Sequence, residues 1–148
     1  MSQTNSKLRL ADLTIGLSYE TSGFVVTEAH IVNFAGLSGD FFDLHMDDVY
    51  AREQGFPARV AHGLLCLALV DGLKNRADIR IDAIATLEWQ YRFPGAVYAG
   101  DRIRARITVL ETRPTKDGKR GVVKLKFEVL NQDGKIVQEG VNTLLVHA

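Results

Sequence analysis

Residues 61–73 read Ala-His-Gly-Leu-Leu-Cys-Leu-Ala-Leu-Val-Asp-Gly-Leu, and the fold turns on them. The run is apolar on nearly all sides for about two and a half helical turns. A helix of that kind belongs in an interior. Beyond Asn75 and Arg76 no further helical period appears, and residues 84–93, 102–111, 122–130 and 136–147 carry the strand signal instead. Ile103, Ala105, Ile107 and Val109 alternate with Arg102, Arg104 and Arg106, and Val123, Leu125, Phe127 and Val129 alternate with Lys124, Lys126 and Glu128. One face is therefore buried and one wet, as in an antiparallel sheet. Asp117-Gly118 and Asp133-Gly134 mark tight hairpin turns, while Pro94-Gly95 and Gly100-Asp101 bound a longer connection. A central apolar helix followed by a meander of long strands has few compact solutions. The expectation is an α+β fold whose antiparallel sheet curls around one central helix.

Upstream, residues 15–19 and 24–26 read as short strands around a turn at Ser22-Gly23. Thr27 is a suitable N-cap with Glu28 beside the positive helix end, and Ala29, Val32, Phe34 and Leu37 outline a short amphipathic helix. Gly36 and Gly39 supply backbone freedom at its end, so the helix is expected to stop and become a loop over 38–40. The spacing of Asp40 and His45 would send their side chains apart on a helix or a strand. An irregular backbone between them would put a carboxylate and an imidazole on one loop, a common location for acid/base residues. Asp47 can cap a further short helix through Val49, Tyr50 and Ala51 that ends near Gly55-Phe56-Pro57.

The chain's 148 residues match the size of one domain, and its apolar content suffices for a core without staples. With no repeat, low-complexity tract or linker-like segment, one domain spanning residues 1–148 is expected, with residues 1–10 mobile. A formal net charge of zero offers no argument for nucleic acid, an anionic membrane surface or a polyanionic partner. Cys66 is the single cysteine, which excludes an internal disulfide and any Cys-rich metal site and fits a reducing cytoplasm. The first ten residues lack the apolar core of a signal peptide, and the run 64–70 is too short to span a bilayer. A soluble, cytoplasmic protein is the expectation.

Three blocks together resemble the MaoC-like dehydratases, or (R)-specific enoyl-CoA hydratases, which have the hot dog fold. Phe34, Ser38, Gly39, Asp40, Leu44, His45 and Ala51 fall at the places of the family's hydratase signature. Val60-Ala61-His62-Gly63-Leu64-Leu65 resembles the block that opens the family's central helix, and Phe93-Pro94 with Gly100-Asp101 is a looser match to landmarks between its strands. Two departures stand out. Phe42-Asp43 occupies the place of an Asn-Pro pair, so a rigid proline and a loop-bracing amide are both missing, and Ala68 stands where relatives often carry a hydroxyl.

The resemblance implies reversible addition of water to a trans-2-enoyl thioester, giving an (R)-3-hydroxyacyl thioester. Asp40 and His45 would hold and deprotonate the water and return a proton, and the Gly63 backbone N–H, at a helix start, would stabilise the developing oxyanion. No metal or redox cofactor is required, and a homodimer or larger homo-oligomer acting on acyl-CoA or another acyl thioester is implied. Two other functions stay open: a hot dog thioesterase, and an acyl-thioester binding module that has lost the chemistry. The residues themselves also admit plainer roles. Asp40 as a turn residue, His45 as a structural histidine and Gly63 as a helix-start glycine are the alternatives. His45 and His62 with Asp43 or Asp47 as metal ligands, and Cys66 with His62 as a nucleophile pair against an inert buried thiol, are further ones. Arg102, Arg104, Arg106, Lys124 and Lys126 form a basic strand face that either meets coenzyme A phosphates or is simply solvated.

Overall fold

The computed structural model describes residues 7–148. Strand β1 (Ser18–Glu20) and strand β2 (Phe24–Val25) precede helices α1 (Glu28–Ser38), α2 (Asp43–Met46), α3 (Asp48–Glu53) and α4 (Gly63–Asn75). Strands β3 (Ala83–Arg92), β4 (Arg102–Pro114), β5 (Arg120–Leu130) and β6 (Ile136–His147) follow. They form one antiparallel sheet in the order β1-β4-β5-β6-β3, with β2 also paired to β4. The four long strands lie within a few residues of the stretches expected, because a half-buried strand advertises itself by alternation.

The sheet wraps around α4 as expected. Ile103, Ala105, Ile107 and Val109 of β4 and Val123, Leu125, Phe127 and Val129 of β5 all point inward and are buried. They share one core with Leu65, Cys66 and Val70 of the helix. The helix is not enclosed on every side, however: Leu64 is 63% exposed and Ala68, one turn on, is also exposed. A single sheet covers only part of a helix's circumference, so an all-round apolar helix is left with one open stripe.

Helix α1 is capped at Thr27, whose backbone N–H donates to His30 Nδ1 at 2.9 Å. Its buried stripe is Ile31 and Ala35, while Val32 and Leu37 face solvent, Leu37 being 85% exposed. Residues 31, 34 and 35 lie together on a helical surface, and this face, rather than one centred on Val32 and Leu37, meets the core.

Residues 1–6 of the stretch expected to be mobile lie outside the described residues. At its end, Leu8 forms a bridge with Ile81, its N–H donating to the Arg80 carbonyl at 2.8 Å. Among the described residues, no helix is long and apolar enough to cross a membrane.

Candidate active site

Helix α1 stops at Gly39, which takes φ +77° and donates its N–H to the Ala35 carbonyl at 2.8 Å. This is the left-handed termination that a glycine makes accessible. Ser38 Oγ then donates to the Phe34 carbonyl at 2.7 Å and accepts the Asp40 N–H at 3.1 Å. Asp40 Oδ1 accepts the Phe42 N–H at 3.2 Å, closing a local turn. The chain does not remain a loop as far as His45, as the spacing suggested. It enters the short helix α2, and His45 sits in its last turn.

The missing proline has a backbone substitute. Phe42 adopts φ −55°, ψ 132°, the extended conformation that a following proline would enforce, and Asp43 opens α2 directly. Asp47 ends α2 and caps α3, its Oδ1 accepting the N–H groups of Val49 and Tyr50 at 2.8 and 3.3 Å. The capping role expected for Asp47 is thus observed.

His45 Nδ1 lies 2.7 Å from the Val60 carbonyl oxygen. A carbonyl only accepts, so Nδ1 carries the hydrogen and Nε2 is left facing Asp40. Nε2 and Asp40 Oδ2 are 3.9 Å apart, too far for a direct hydrogen bond and suited to one oxygen atom between them. The His45 side chain is 13% exposed and that of Asp40 49%. The Val60 segment is itself anchored: its N–H donates to the Leu44 carbonyl at 3.0 Å, and the Ala61 N–H donates to the Val97 carbonyl at 2.8 Å.

Gly63 is the first residue of α4, where helix N–H groups have no intrahelical partner. A Cβ there would stand 2.7 Å from Cδ1 and Cε1 of Phe93, so the ring occupies the space a side chain would need. The Gly63 carbonyl accepts from Gln138 Nε2 at 3.1 Å, and Tyr91 Oη donates to Gln138 Oε1 at 3.1 Å. Buried Gln138 is a site residue the sequence did not single out, since a glutamine at an inward strand position looks like an error until its two partners are known. A cavity of about 500 Å³ brings His45, Gly63 and Gln138 together with apolar Phe56, Leu64, Phe93 and Val97. Asp40 is not among its lining residues; its carboxylate lies 3.9 Å from His45, which is.

His62 is 2% exposed. Its Nε2 donates to the Asp40 carbonyl at 2.9 Å, and its ring stacks on that of His45 with centroids 4.0 Å apart and 28° between planes. Asp40, His45 and His62 each offer an atom within 4.8 Å of the others, a different set from the metal ligands weighed above. They fit an ion poorly. His62 Nε2 carries a hydrogen toward Asp40, and stacked, nearly parallel rings direct their lone pairs alongside each other rather than to one point.

Cys66 does not pair with His62. Burial pushes its thiol up to about 12, with the charge of Asp101 adding to the effect, so no useful thiolate forms. The basic strand face is largely neutralised in place. Arg104 and Arg106 meet Glu20 at 3.1 and 3.2 Å, Lys126 meets Glu128 at 3.1 Å, and Lys124 meets Glu111 at 3.4 Å. The hydrogen bond from Arg104 is the largest influence holding the Glu20 carboxyl below its ordinary range. Such a stripe has little charge left over for coenzyme A phosphates.

The profile of the MaoC like domain matches residues 11–130. The protein named MaoC from Klebsiella aerogenes is 43% identical over 94 residues, covering 63% of this chain and 28% of its own length. An (R)-specific enoyl-CoA hydratase from Rhodospirillum rubrum is 30% identical over 127 residues, covering 83% of this chain and 81% of its own. The crystal structure of a MaoC-like dehydratase from the same organism superposes with a TM-score of 0.83 at 27% identity, covering 95% of this chain and 97% of the other. A double hot dog structure from Mycobacterium tuberculosis superposes with a TM-score of 0.84 at 18% identity, a likeness of fold alone. The chain spans only 28%, 34% and 30% of the length of three longer curated relatives. With a profile that runs from the first strands through β5, and a sheet wrapped around α4, the chain belongs to the MaoC-like domain family and has the hot dog fold.

Proposed function

We propose that this chain catalyses the reversible addition of water to a trans-2-enoyl thioester, giving an (R)-3-hydroxyacyl thioester. The observation that carries the reading is the 3.9 Å gap between Asp40 Oδ2 and His45 Nε2 beside a largely apolar cavity that also meets the first peptide of α4. A water bridging the two acceptors would donate one hydrogen to each. As its oxygen attacks the β-carbon, one of the pair takes its proton, and a proton is delivered to the α-carbon. Electron density moves meanwhile onto the thioester oxygen, where the Gly63 N–H and the positive end of α4 oppose the charge. The apolar walls exclude competing water and suit an acyl chain.

We also infer a homodimer or larger assembly. Its support is an edge strand, β3, with Ile84 and Leu87 exposed, together with the open stripe at Leu64.

The test follows the enoyl-thioester absorbance of purified protein alongside a thiol reagent. Loss of absorbance without free thiol is the expected result. Asp40→Asn and His45→Gln should each lower kcat by about 100-fold or more while the melting temperature stays within a few degrees. Release of free thiol would point to a thioesterase, and full activity in both variants would sink the acid/base assignment.

A further inference from the structure

Asp40 and His45 can act as a pair only if something holds them 3.9 Å apart, and the loop that carries Asp40 is weakly tied. Among the described residues, the hydrogen bonds of residues 39–42 are almost all local. Gly39 N–H donates to Ala35, Asp40 N–H to Ser38, Phe41 N–H to Gly39 and Phe42 N–H to Asp40. The exception is the bond from His62 Nε2 to the Asp40 carbonyl at 2.9 Å. The same imidazole supports one face of His45, with ring centroids 4.0 Å apart. Its own position is fixed by burial, by the Phe34 ring, tilted across it with centroids 4.9 Å apart, and by its place as N-cap of α4. The peptide it shares with Gly63 carries the N–H to which the proposed reaction assigns the oxyanion.

We propose that His62 is a positioning residue that sets the geometry of the Asp40–His45 pair. It braces a loop in which Phe42 and Asp43 offer neither a proline ring nor an amide. The residue type itself supports a functional rather than a packing role. Because Nε2 donates to a carbonyl, Nδ1 is left as a buried acceptor to which no protein group donates. A phenylalanine of similar shape would fill the same space without that cost.

The proposal rests on the hydratase reading for its kinetic consequence but not for its structural one. His62→Phe keeps the ring stack and removes the donor to Asp40. The expected result is a melting temperature equal to or above that of the unaltered protein, a kcat lower by about 10–100-fold and a KM within about twofold. His62→Gln, whose amide can still reach the Asp40 carbonyl, should recover part of kcat. A His62→Phe variant with unaltered kcat would overturn the proposal. So would a loss of activity that merely follows a loss of folded protein. Nitrogen-15 relaxation supplies the arm independent of turnover. Amide order parameters of residues 39–42 should be about 0.85 in the unaltered protein and fall to about 0.6 in His62→Phe. If the unaltered protein hydrates no enoyl thioester, the proposed function fails while this readout still decides the role of His62. Unchanged order parameters would overturn it.

Discussion

Gly63→Ala separates two demands on one atom position. The added Cβ would lie 2.7 Å from two carbons of the Phe93 ring. Comfortable carbon contacts are about 3.5–4.0 Å, so the ring must withdraw by about 1 Å. Overpacking of this kind costs about 1–3 kcal/mol in a closed core, but Phe93 is half exposed and can swing outward, which favours the low end. The preference of helix interiors for alanine carries little weight at the first residue of α4, so stability should fall by about 1 kcal/mol. Activity should not be spared. Phe93 and Gly63 both line the cavity, and in the proposed reaction the displaced ring and the new methyl would crowd the approach of the thioester oxygen. Losing access to an oxyanion donor lowers kcat by about 100–1,000-fold. The assay is steady-state hydration with a parallel thermal melt. Gly63→Ala combined with Phe93→Leu should recover part of kcat if crowding is the cause. A single variant with unaltered kcat/KM would refute the reasoning, because it would mean that the reacting carbonyl does not approach Gly63.

Two further expectations concern the loop and the strand face. Asp43→Pro should stabilise the protein by about 0.4–1 kcal/mol, because Asp43 is the first residue of α2 and Phe42 already has the extended backbone that precedes a proline. A melting temperature raised by about 1–4 °C with kcat retained is the readout, and a lowered one would show that the Asp43 side chain is needed. Glu20, whose carboxyl is more acidic folded than unfolded, contributes stability at neutral pH. That contribution is lost as pH falls from the unfolded value near 4.5 through the lower folded one. Glu20→Gln should therefore lower the neutral-pH stability by about 0.2–1 kcal/mol and flatten the acid side of the melting profile. Identical acid profiles would mean that the pairs with Arg104 and Arg106 contribute nothing.

The parts of the fold legible in the sequence were those in which each residue reports its own environment. Alternation in β4 and β5 names the buried face residue by residue, and Gly39 marks the helix end because the left-handed conformation it takes is costly for other residues. The buried face of α1 was less legible. Val32 and Leu37 are as apolar as Ile31, and only the direction from which the core approaches decides between them. The same holds for His62 and Gln138. Alone, a buried polar side chain on an apolar element looks like a defect, and it acquires meaning only from partners distant in the chain. For His62 those partners are the Asp40 carbonyl and the His45 ring, and for Gln138 they are Tyr91 and the Gly63 carbonyl.

This difference bears on the departure at Phe42 and Asp43. The sequence alone makes the loss of Asn-Pro look like a threat to the Asp40–His45 geometry, since both of its bracing devices are local. In the structure that geometry rests on one local feature and two non-local contacts. Phe42 keeps the extended backbone, Val60 fixes the His45 ring through Nδ1, and His62 holds the Asp40 carbonyl from the N-terminus of α4. The loop's geometry thus depends on the end of the central helix, the same end that carries the Gly63 N–H. A disturbance of that helix start would move the proposed acid/base pair and the proposed oxyanion donor together. Substitutions at His62 and Gly63 should therefore cost more activity than substitutions at the non-matching Phe42 and Asp43.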